Sequence, residues 1–256
     1  MIYDVHVHIG RHVPPLEGGS GDAVTDLVER ALLHGIDRQC ISSLGNRGYI
    51  IDPTLEEVRE ANDHVLEAMA AHPNHLLGFC YVNPRHGGDA LSEIDRCVAR
   101  GGMVGIKLWV ACKASDPLVD PILERAAELG VPVLQHAWNK TVGQLEHEST
   151  SADVAEMGRR HPETTIIVAH LMGIGYRGVL DIAPYPNILV DTSGGDPEAG
   201  VVEYAVRQLG AERVLFGSDV PGRSYGVQLG KVLGAQLTPE QRDLILFGNA
   251  ERILGR

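Results

Sequence analysis

The chain has few cysteines, a deficit of basic residues and no long apolar segment, and each shortage excludes a class of protein. Lysine and arginine total 22 against 34 aspartate and glutamate residues, which gives a net charge of −12. This balance argues against a nucleic acid or an anionic membrane surface as the partner. No apolar run approaches the ~20 residues that a membrane-spanning helix needs, so no transmembrane segment is predicted.

The cysteines and the start of the chain bear on the cellular compartment. The cysteines show no Cys-x-x-Cys spacing and lie in or beside predicted core segments, so we expect reduced thiols. There are four of them, at Cys40, Cys80, Cys97 and Cys112. The N-terminus runs directly into an apolar strand, which is unlike a signal peptide. These features predict a cytoplasmic protein.

Short apolar runs alternate with helical patterns along the whole chain. The predicted strands are Ile2–His8, Arg38–Ser43, Leu76–Val82, Met103–Trp109, Val131–Ala137, Thr165–Leu171, Ile188–Asp191 and Val214–Gly217. The predicted helices are Asp22–His34, Thr54–Ala71, Asp89–Arg100, Asp116–Leu129, Ala152–Arg160, Tyr176–Ile182, Pro197–Leu209, Gly226–Ala235 and Pro239–Leu254. Near-continuous apolar strands alternating with helices indicate a parallel sheet that is covered on both faces. Eight such units without a linker predict one α/β domain over residues 1–256, a single (β/α)8 TIM barrel.

The segment Asp4-Val5-His6-Val7-His8 is the most informative part of the chain. Residues two apart on a strand point to the same side, so Asp4, His6 and His8 are expected to share one face. Two imidazoles close enough to hold one ion are typical nitrogen donors for zinc and related metals. The alternative is an ordinary core strand whose two histidines are hydrogen-bonded to structural partners.

Other polar residues stand where the predicted strands end. Lys107 lies near the end of the fourth strand, His136, His170 and Asp191 end the next three, and Asp219 follows the eighth. The carboxyl ends of barrel strands converge at one mouth, where barrel enzymes place their active sites. Each residue alone can have a structural role, such as capping a helix or binding a backbone carbonyl. Their common position at the strand ends favours a functional site.

A set of short motifs runs in order along the chain. They are Asp4-Val-His6-Val-His8, Gly105-Ile-Lys107-Leu, Gln135-His136, Val168-Ala-His170, Val190-Asp191-Thr192-Ser193-Gly194, Phe216-Gly217-Ser218-Asp219 and Gly248-Asn249-Ala250-Glu251-Arg252. In this order they resemble the amidohydrolase superfamily, specifically the amidohydrolase-related branch that includes aminocarboxymuconate semialdehyde decarboxylase. The resemblance covers essentially the whole chain, and the ordered set is far more specific than any one motif.

The resemblance implies a metal site and a neighbouring histidine. It assigns His170 to a polarising or acid/base position, and it gives one divalent ion four ligands: His6, His8, His136 and Asp219. Zinc is the first expectation for the ion, and manganese and cobalt also suit nitrogen and carboxylate ligands. Such an ion lowers the pKa of bound water to about 7, Asp219 can accept a proton, and His170 can hold an oxyanion.

The resemblance allows two roles for Lys107. In the two-metal branch of the superfamily, a carboxylated lysine of the fourth strand bridges the ions. In the branch that this chain resembles more, the lysine is unmodified. We favour an ammonium group that pairs with Asp191 or binds an anionic substrate, and a purely structural lysine is the next alternative.

The substrate is expected to be a small anionic molecule. Several cations around one mouth of an acidic protein favour a carboxylate, and aromatic residues there can form an apolar wall. The ordinary alternative is that loops are polar and that aromatic residues at strand ends simply pack. The candidate substrate contacts are Lys107, Arg11, Arg47, Arg223, Trp109 and Trp138.

Three functions are compatible with these residues. Hydrolysis of an amide, ester or lactone by a metal-activated water is favoured, because decarboxylases of this branch tend to be longer than this chain. The alternative is metal-dependent, non-oxidative decarboxylation of an unsaturated or aromatic acid. A lesser alternative is a barrel that binds a ligand without catalysis, which the presence of all four proposed metal ligands disfavours. The oligomeric state stays open, with a homodimer as one option.

Overall fold

The computed structural model describes residues 1–14 and 19–255, and its centre is a sheet of eight parallel strands. Strands that follow one another in sequence are neighbours in the sheet, in the order β1 to β8. Backbone bonds from Val5 N to Phe216 O (3.0 Å) and from His8 N to Val220 O (2.7 Å) join β1 to the segment around β8 and close the barrel. The strands are β1 (Tyr3–His8), β2 (Arg38–Ser42), β3 (Leu76–Tyr81), β4 (Gly105–Leu108), β5 (Val133–Gln135), β6 (Ile166–Val168), β7 (Ile188–Asp191) and β8 (Val214–Leu215).

Helices follow the strands and cover the outside of the sheet. They are α1 (Ala23–Leu33), α2 (Leu55–Ala71), α3 (Gly88–Ile94), α4 (Asp120–Leu129), α5 (Ser151–Arg160), α6 (Leu171–Ile182), α7 (Val201–Leu209), α8 (Tyr225–Leu233), α9 (Pro239–Asp243) and α10 (Asn249–Leu254). Wider helical turns continue α3 over Asp95–Arg100 and join α9 to α10 over Leu244–Gly248. Thr54 and Thr150 begin α2 and α5 with capping boxes, which satisfy amide groups that have no partner within the helix. No described helix is long and apolar enough to cross a membrane.

The core has two layers, as the apolar strands predict. One cluster draws a residue from every strand or its start and therefore fills the barrel interior, with Ala250 and Leu254 of α10 packed against it. The second and larger cluster lies between the outer faces of the strands and the helices. All strand residues except Arg38 are buried. The prediction of a single (β/α)8 barrel is therefore confirmed, and all four cysteines are buried without a disulfide.

The first strand departs from simple alternation. The register of β1 against β2 shifts by one residue between Asp4 and Val7, which is the mark of a β-bulge. As a result, Val5 packs in the interior cluster and Val7 in the outer one, although they are two residues apart. Asp4 Oδ1 accepts bonds from the backbone amides of His6 (3.1 Å) and Ser218 (2.9 Å). The expectation that Asp4 shares a face with His6 and His8 is therefore wrong.

Helix boundaries differ most from the prediction at β6. The strand ends at Val168, and α6 begins at Leu171, five residues before the predicted helix. The apolar run through Leu171 is consistent with either a strand or a buried helix start, because periodicity does not separate short apolar segments. His170 is the junction residue, with a left-handed backbone (φ 72°).

Glycines at two exposed positions predict opposite effects on stability. Gly130 ends α4 with φ 65°, and Gly230 lies within α8; an added Cβ meets no atom within 4 Å at either position. Gly130→Ala should lower the free energy of unfolding by roughly 1–2 kcal/mol through left-handed strain. Gly230→Ala should raise it by roughly 0.5–1 kcal/mol, because alanine is the better helix former. Chemical denaturation measures both, and equal effects would contradict the backbone described at Gly130.

Candidate metal centre

The carboxyl ends of the strands bring the histidines of the sequence motifs together. His6 and His8 belong to β1, His136 follows β5, His170 follows β6, and Asp219 follows β8. All four imidazoles are buried, and the side chain of Asp219 is 18% exposed. Residues far apart in sequence thus meet at one mouth, as the barrel topology requires.

His6, His8 and Asp219 form the tightest group of ligand atoms. Nε2 of His6 lies 3.1 Å from Nε2 of His8 and 3.8 Å from Oδ1 of Asp219. The third side of this triangle, from His8 Nε2 to Asp219 Oδ1, is 3.6 Å. Neighbouring ligands of an ion with bonds of about 2.0–2.2 Å lie about 3.0–3.6 Å apart. The triangle is therefore close to the spacing that one bound ion needs.

His170 and His136 extend this group. The ligand atoms of His6, His170 and Asp219 all lie within 4.8 Å of one another. Nδ1 of His136 lies 3.1 Å from Nε2 of His170. His170 therefore stands between the triangle and His136, where it can take the acid/base role that the resemblance implies or, as this geometry adds, serve as a ligand.

His170 and Asp219 have unusual backbones. They are the only residues other than glycine with positive φ in the part of the chain that the structure describes, at 72° and 61°. Such conformations cost of order 1–3 kcal/mol and cluster at functional sites. Gly194 packs against His170 so closely that a Cβ on it would lie 2.7 Å from the His170 Cβ. The backbone here is shaped to aim two side chains into the mouth.

Asp191 and Ser193 position two of the histidines, His6 and His170, through hydrogen bonds. Asp191 Oδ2 lies 2.8 Å from His6 Nδ1, and Asp191 Oδ1 accepts the His170 amide at 3.1 Å. Ser193 Oγ lies 2.9 Å from His170 Nδ1 and donates to Asp191. Since the Asp191 carboxylate only accepts bonds, His6 Nδ1 carries its proton, and His6 Nε2 presents a lone pair to the mouth.

Burial sets the charges of the site. It lowers the pKa values of His6, His8 and His170 well below 6.5, with further lowering by neighbouring cationic groups. These imidazoles are therefore neutral and available as ligands. Burial also raises the pKa of Asp219 to about 7, although the ammonium of Lys107 opposes the rise.

Lys107 forms the floor of the site. It is fully buried, and its Nζ lies 3.3 Å from His6 Nε2. Burial lowers its pKa to about 8, and the carboxylates of Asp191 and Asp219 limit the fall. The structure thus places Lys107 beside the candidate ligands, where its charge helps to lower the pKa of His6.

A cavity of about 350 Å³ opens above the cluster. Both tryptophans of the chain, Trp109 and Trp138, line it together with Tyr49 and Arg223. The rings of Tyr49 and Trp109 meet edge to face with centroids 5.8 Å apart, and Trp138 lies 5.2 Å from His170. The cavity therefore has aromatic walls, a row of ligand atoms at its base and one guanidinium group at its edge.

Two predicted substrate contacts lie elsewhere. Arg11 and Arg47 line a separate groove with Glu60, Asp63 and Glu67, and Arg11 is paired with Glu67 at 2.6 Å. Their place depends on the conformations of loops, which strand and helix patterns do not determine. A substrate contact by either arginine stays a prediction that this geometry does not favour.

Sequence reasoning missed Glu148 and Ser193. Glu148 is buried and lies 2.9 Å from His136 Nε2. Its pKa is about 2, because hydrogen bonds from His136 and Lys140 outweigh the rise caused by burial. Glu148 lies in a long loop after β5 without a motif of its own. Ser193 stands in the motif that ends at Gly194, which was the only signal for it.

Comparisons with known proteins agree with this architecture. The amidohydrolase family description matches residues 3–256. A 2,6-dihydroxybenzoate decarboxylase in complex with 2,6-dihydroxybenzoate has a TM-score of 0.82 at 20% identity, with 99% of this chain and 98% of that chain covered. The 5-carboxyvanillate decarboxylase of Sphingomonas paucimobilis has a TM-score of 0.79 at 16% identity, with 99% of this chain and 98% of that chain covered. A dihydroxybenzoic acid decarboxylase of a Polaromonas species, with bound manganese and the inhibitor 2-nitroresorcinol, has a TM-score of 0.80 at 19% identity. The match covers 99% of this chain and 96% of that chain.

These similarities correct the expectation of a hydrolase. That expectation depended on the shortness of the chain, but the match to the first of these decarboxylases spans 98% of that protein. Length therefore gives no reason to prefer hydrolysis, and the proteins compared above are decarboxylases. At such identities the likeness itself shows a shared fold, whereas the match over residues 3–256 shows the family. The chain belongs to the amidohydrolase family.

Proposed function

We propose that this protein is a metal-dependent, non-oxidative decarboxylase of a small aromatic carboxylic acid. The observation that carries the proposal is the cavity, in which Trp109, Trp138 and Tyr49 stand above the ligand atoms of His8, His170 and Asp219. Aromatic walls suit a planar ring, since offset and edge-to-face contacts between rings are favourable. The resemblance in fold to decarboxylases of hydroxylated benzoates points to the same substrate class.

The proposed ligands of one divalent ion are His6, His8, His136 and Asp219. The triangle formed by His6, His8 and Asp219 has the spacing of neighbouring ligands, and His170 is the alternative to His136 as the fourth. Imidazole and carboxylate donors suit manganese, zinc and cobalt. Manganese is the first ion to test, because one structurally similar decarboxylase holds it. When bound, the ion supplies a Lewis-acid contact that holds and polarises oxygen atoms of the substrate.

The residues of the chain supply the remaining needs of the reaction. The aromatic walls hold the ring, and Arg223 at the cavity edge offers a positive charge to the carboxylate. Before the ion binds, burial raises the pKa of Asp219 to about 7, so this carboxyl group takes up a proton near neutral pH. With one carboxylate oxygen left to the ion, the other oxygen is proposed to hold that proton. Its transfer to the ring carbon that bears the carboxylate allows that carbon–carbon bond to break. The bond's electron pair returns to the ring as CO₂ leaves, and water restores the proton of Asp219.

His170 is the proposed orienting group. Its buried neutral imidazole lines the cavity, and Ser193 Oγ, which donates to Asp191, accepts a bond from its Nδ1. A ring held in this way can bind a polar substituent of the substrate in one orientation. Lys107 is proposed to balance the negative charge of Asp191 and Asp219 beneath the substrate.

The two tryptophans make the proposal testable by fluorescence. Both line the cavity, so a bound aromatic acid should quench the intrinsic emission of the whole protein. The manganese-loaded protein would be titrated with hydroxylated and methoxylated benzoates, and CO₂ release would be followed in parallel. We expect saturable quenching and CO₂ from the same acids, and none from their methyl esters. Ester cleavage without CO₂ release would contradict the proposal.

The raised pKa of Asp219 predicts that metal binding depends on pH. Below its pKa of about 7 the carboxyl group is protonated, and an ion must displace that proton to bind. Manganese affinity should therefore be about tenfold weaker at pH 6 than at pH 8, with the loss of charge on Lys107 acting in the same direction. Competition with a chelator at both pH values measures this. An affinity that is flat across this range would contradict the assignment of Asp219 as a ligand.

A further inference from the structure

Glu148 binds one of the proposed metal ligands from outside the cluster. It lies in the loop between β5 and α5, and its side chain is only 2% exposed. Its Oε1 lies 2.9 Å from His136 Nε2, while the other ring nitrogen, Nδ1, faces His170 at 3.1 Å. The two nitrogens of His136 thus point in opposite directions, one to a carboxylate and one to the mouth of the barrel.

Lys140 holds Glu148 in its charged, accepting form. The Nζ of Lys140 lies 2.7 and 2.8 Å from the two carboxylate oxygens. The amide of Leu145 donates to Oε2 at 3.1 Å. A carboxylate with donors on both oxygens accepts hydrogen bonds only, so the contact with His136 requires a proton on His136 Nε2. His136 Nδ1 then presents a lone pair to the mouth.

The same arrangement occurs on the opposite side of the cluster. Asp191 lies 2.8 Å from the rear nitrogen of His6, just as Glu148 lies behind His136. Carboxylates in this position fix the tautomer and the ring orientation of a metal-bound histidine, and their loss typically weakens metal binding by roughly 10–100-fold. Each acidic group thus bonds to the rear nitrogen of a proposed ligand, although Asp191 ends β7 and Glu148 lies in the loop after β5.

We propose that Glu148, held by Lys140, is a positioning residue that keeps His136 in the Nε2–H tautomer and directs its Nδ1 lone pair to the metal. The metal part of this inference rests on the proposed function, because it takes His136 as a ligand. The tautomer part concerns the metal-free protein and does not. The same contact joins His136 to the loop that carries Trp138 and Leu145, both of which line the cavity. Glu148 thus contacts the proposed ligand His136 from the same loop that forms one wall of the cavity.

The first test measures the tautomer without metal. Nitrogen-15 spectra of the metal-free protein would report the two ring nitrogens of His136, assigned among the twelve histidines by comparison with His136→Gln. We expect the wild type to show Nε2–H and Glu148→Gln to show a mixture of both tautomers. A wild-type His136 protonated on Nδ1 would overturn the proposal, whatever the variant does.

The second test measures metal affinity. Glu148→Gln keeps the size of the side chain and should weaken manganese binding by roughly 10–100-fold, measured by competition with a chelator. The matched control is Glu156→Gln, which removes the same charge from a carboxylate of α5 that pairs with Arg159; it should bind as the wild type does. Equal affinity in both variants would overturn the proposal. If the wild type bound no metal, the proposed function would fail, and the tautomer measurement would still decide the role of Glu148.

Discussion

Replacing Asp219 with asparagine is expected to lower the rate of CO₂ release by a factor of ~10²–10⁴, the scale for one positioned acid/base group. Asparagine has nearly the same shape and keeps one oxygen as a potential ligand. Its amide group cannot take up and deliver the proton that the second oxygen of the Asp219 carboxyl group is proposed to carry. The loss should therefore appear in kcat even at saturating manganese and substrate.

The control for this variant is Asp196→Asn. Asp196 is exposed in the loop after β7, so its replacement removes the same charge near the mouth without removing a cavity group. Its turnover should stay within about twofold of the wild type, as is usual for a surface substitution. Near-normal turnover of Asp219→Asn at full metal occupancy would show that the proton comes from another group.

Replacing His6 with alanine is expected to abolish stoichiometric metal and, with it, turnover. His6 is common to both groups of ligand atoms, the triangle with His8 and the trio with His170. Its Nδ1 is held by Asp191 at 2.8 Å, which directs its Nε2 to the mouth. The substitution removes the nitrogen that lies 3.1 Å from His8 Nε2 and 3.8 Å from Asp219 Oδ1, so the triangle is left with two of its three ligand atoms.

The measurement is the metal content of the purified protein after exposure to manganese and removal of the excess. His34→Ala is the control, because His34 is exposed and bonds the carbonyl of Arg30. Circular dichroism would show whether His6→Ala keeps its fold. Full metal retention in a folded His6→Ala protein would remove His6 from the ligand set.

Strand patterns in the sequence were sufficient to predict that the polar residues at strand ends lie close together. His136, His170 and Asp219 follow apolar runs, and barrel topology brings the ends of such runs to one mouth. The structure accordingly places them beside His6 and His8. Lys107 also lies where its strand position indicated, 3.3 Å from His6. His6, His8 and Lys107 belong to strands, and His136, His170 and Asp219 lie within four residues of a strand end, so the sheet largely sets where each side chain lies.

Loop residues were not predictable in the same way. Arg11 and Arg47 follow strands as Arg223 does, yet only Arg223 lines the cavity. Glu148 is twelve residues beyond His136 in the sequence and nevertheless bonds to it, because the intervening loop folds back over the mouth. The bulge in β1 removed Asp4 from the shared face, since one extra residue changes which side chains point inward. Nothing in the strand periodicity indicates such an insertion.

The reaction itself was misjudged from chain length. The span of the match to the decarboxylases shows that the short chain retains the whole barrel. The proposed decarboxylation depends on a proton carried by Asp219 and on a cavity whose aromatic walls suit a planar ring. These are properties of tertiary structure, and the order of motifs along the chain does not contain them.

The most direct test is to follow the fate of the substrate's ring carbon in heavy water. The manganese-loaded protein would be incubated in D₂O with hydroxybenzoates carrying carbon-13 in the carboxyl group, and binding would be confirmed by quenching of the two tryptophans. The proposed function predicts one carbon-13-labelled CO₂ for each product molecule, and one deuterium at the carbon that lost the carboxylate. A protein that binds metal and the aromatic acid in this cavity but leaves the carboxylate attached would contradict it.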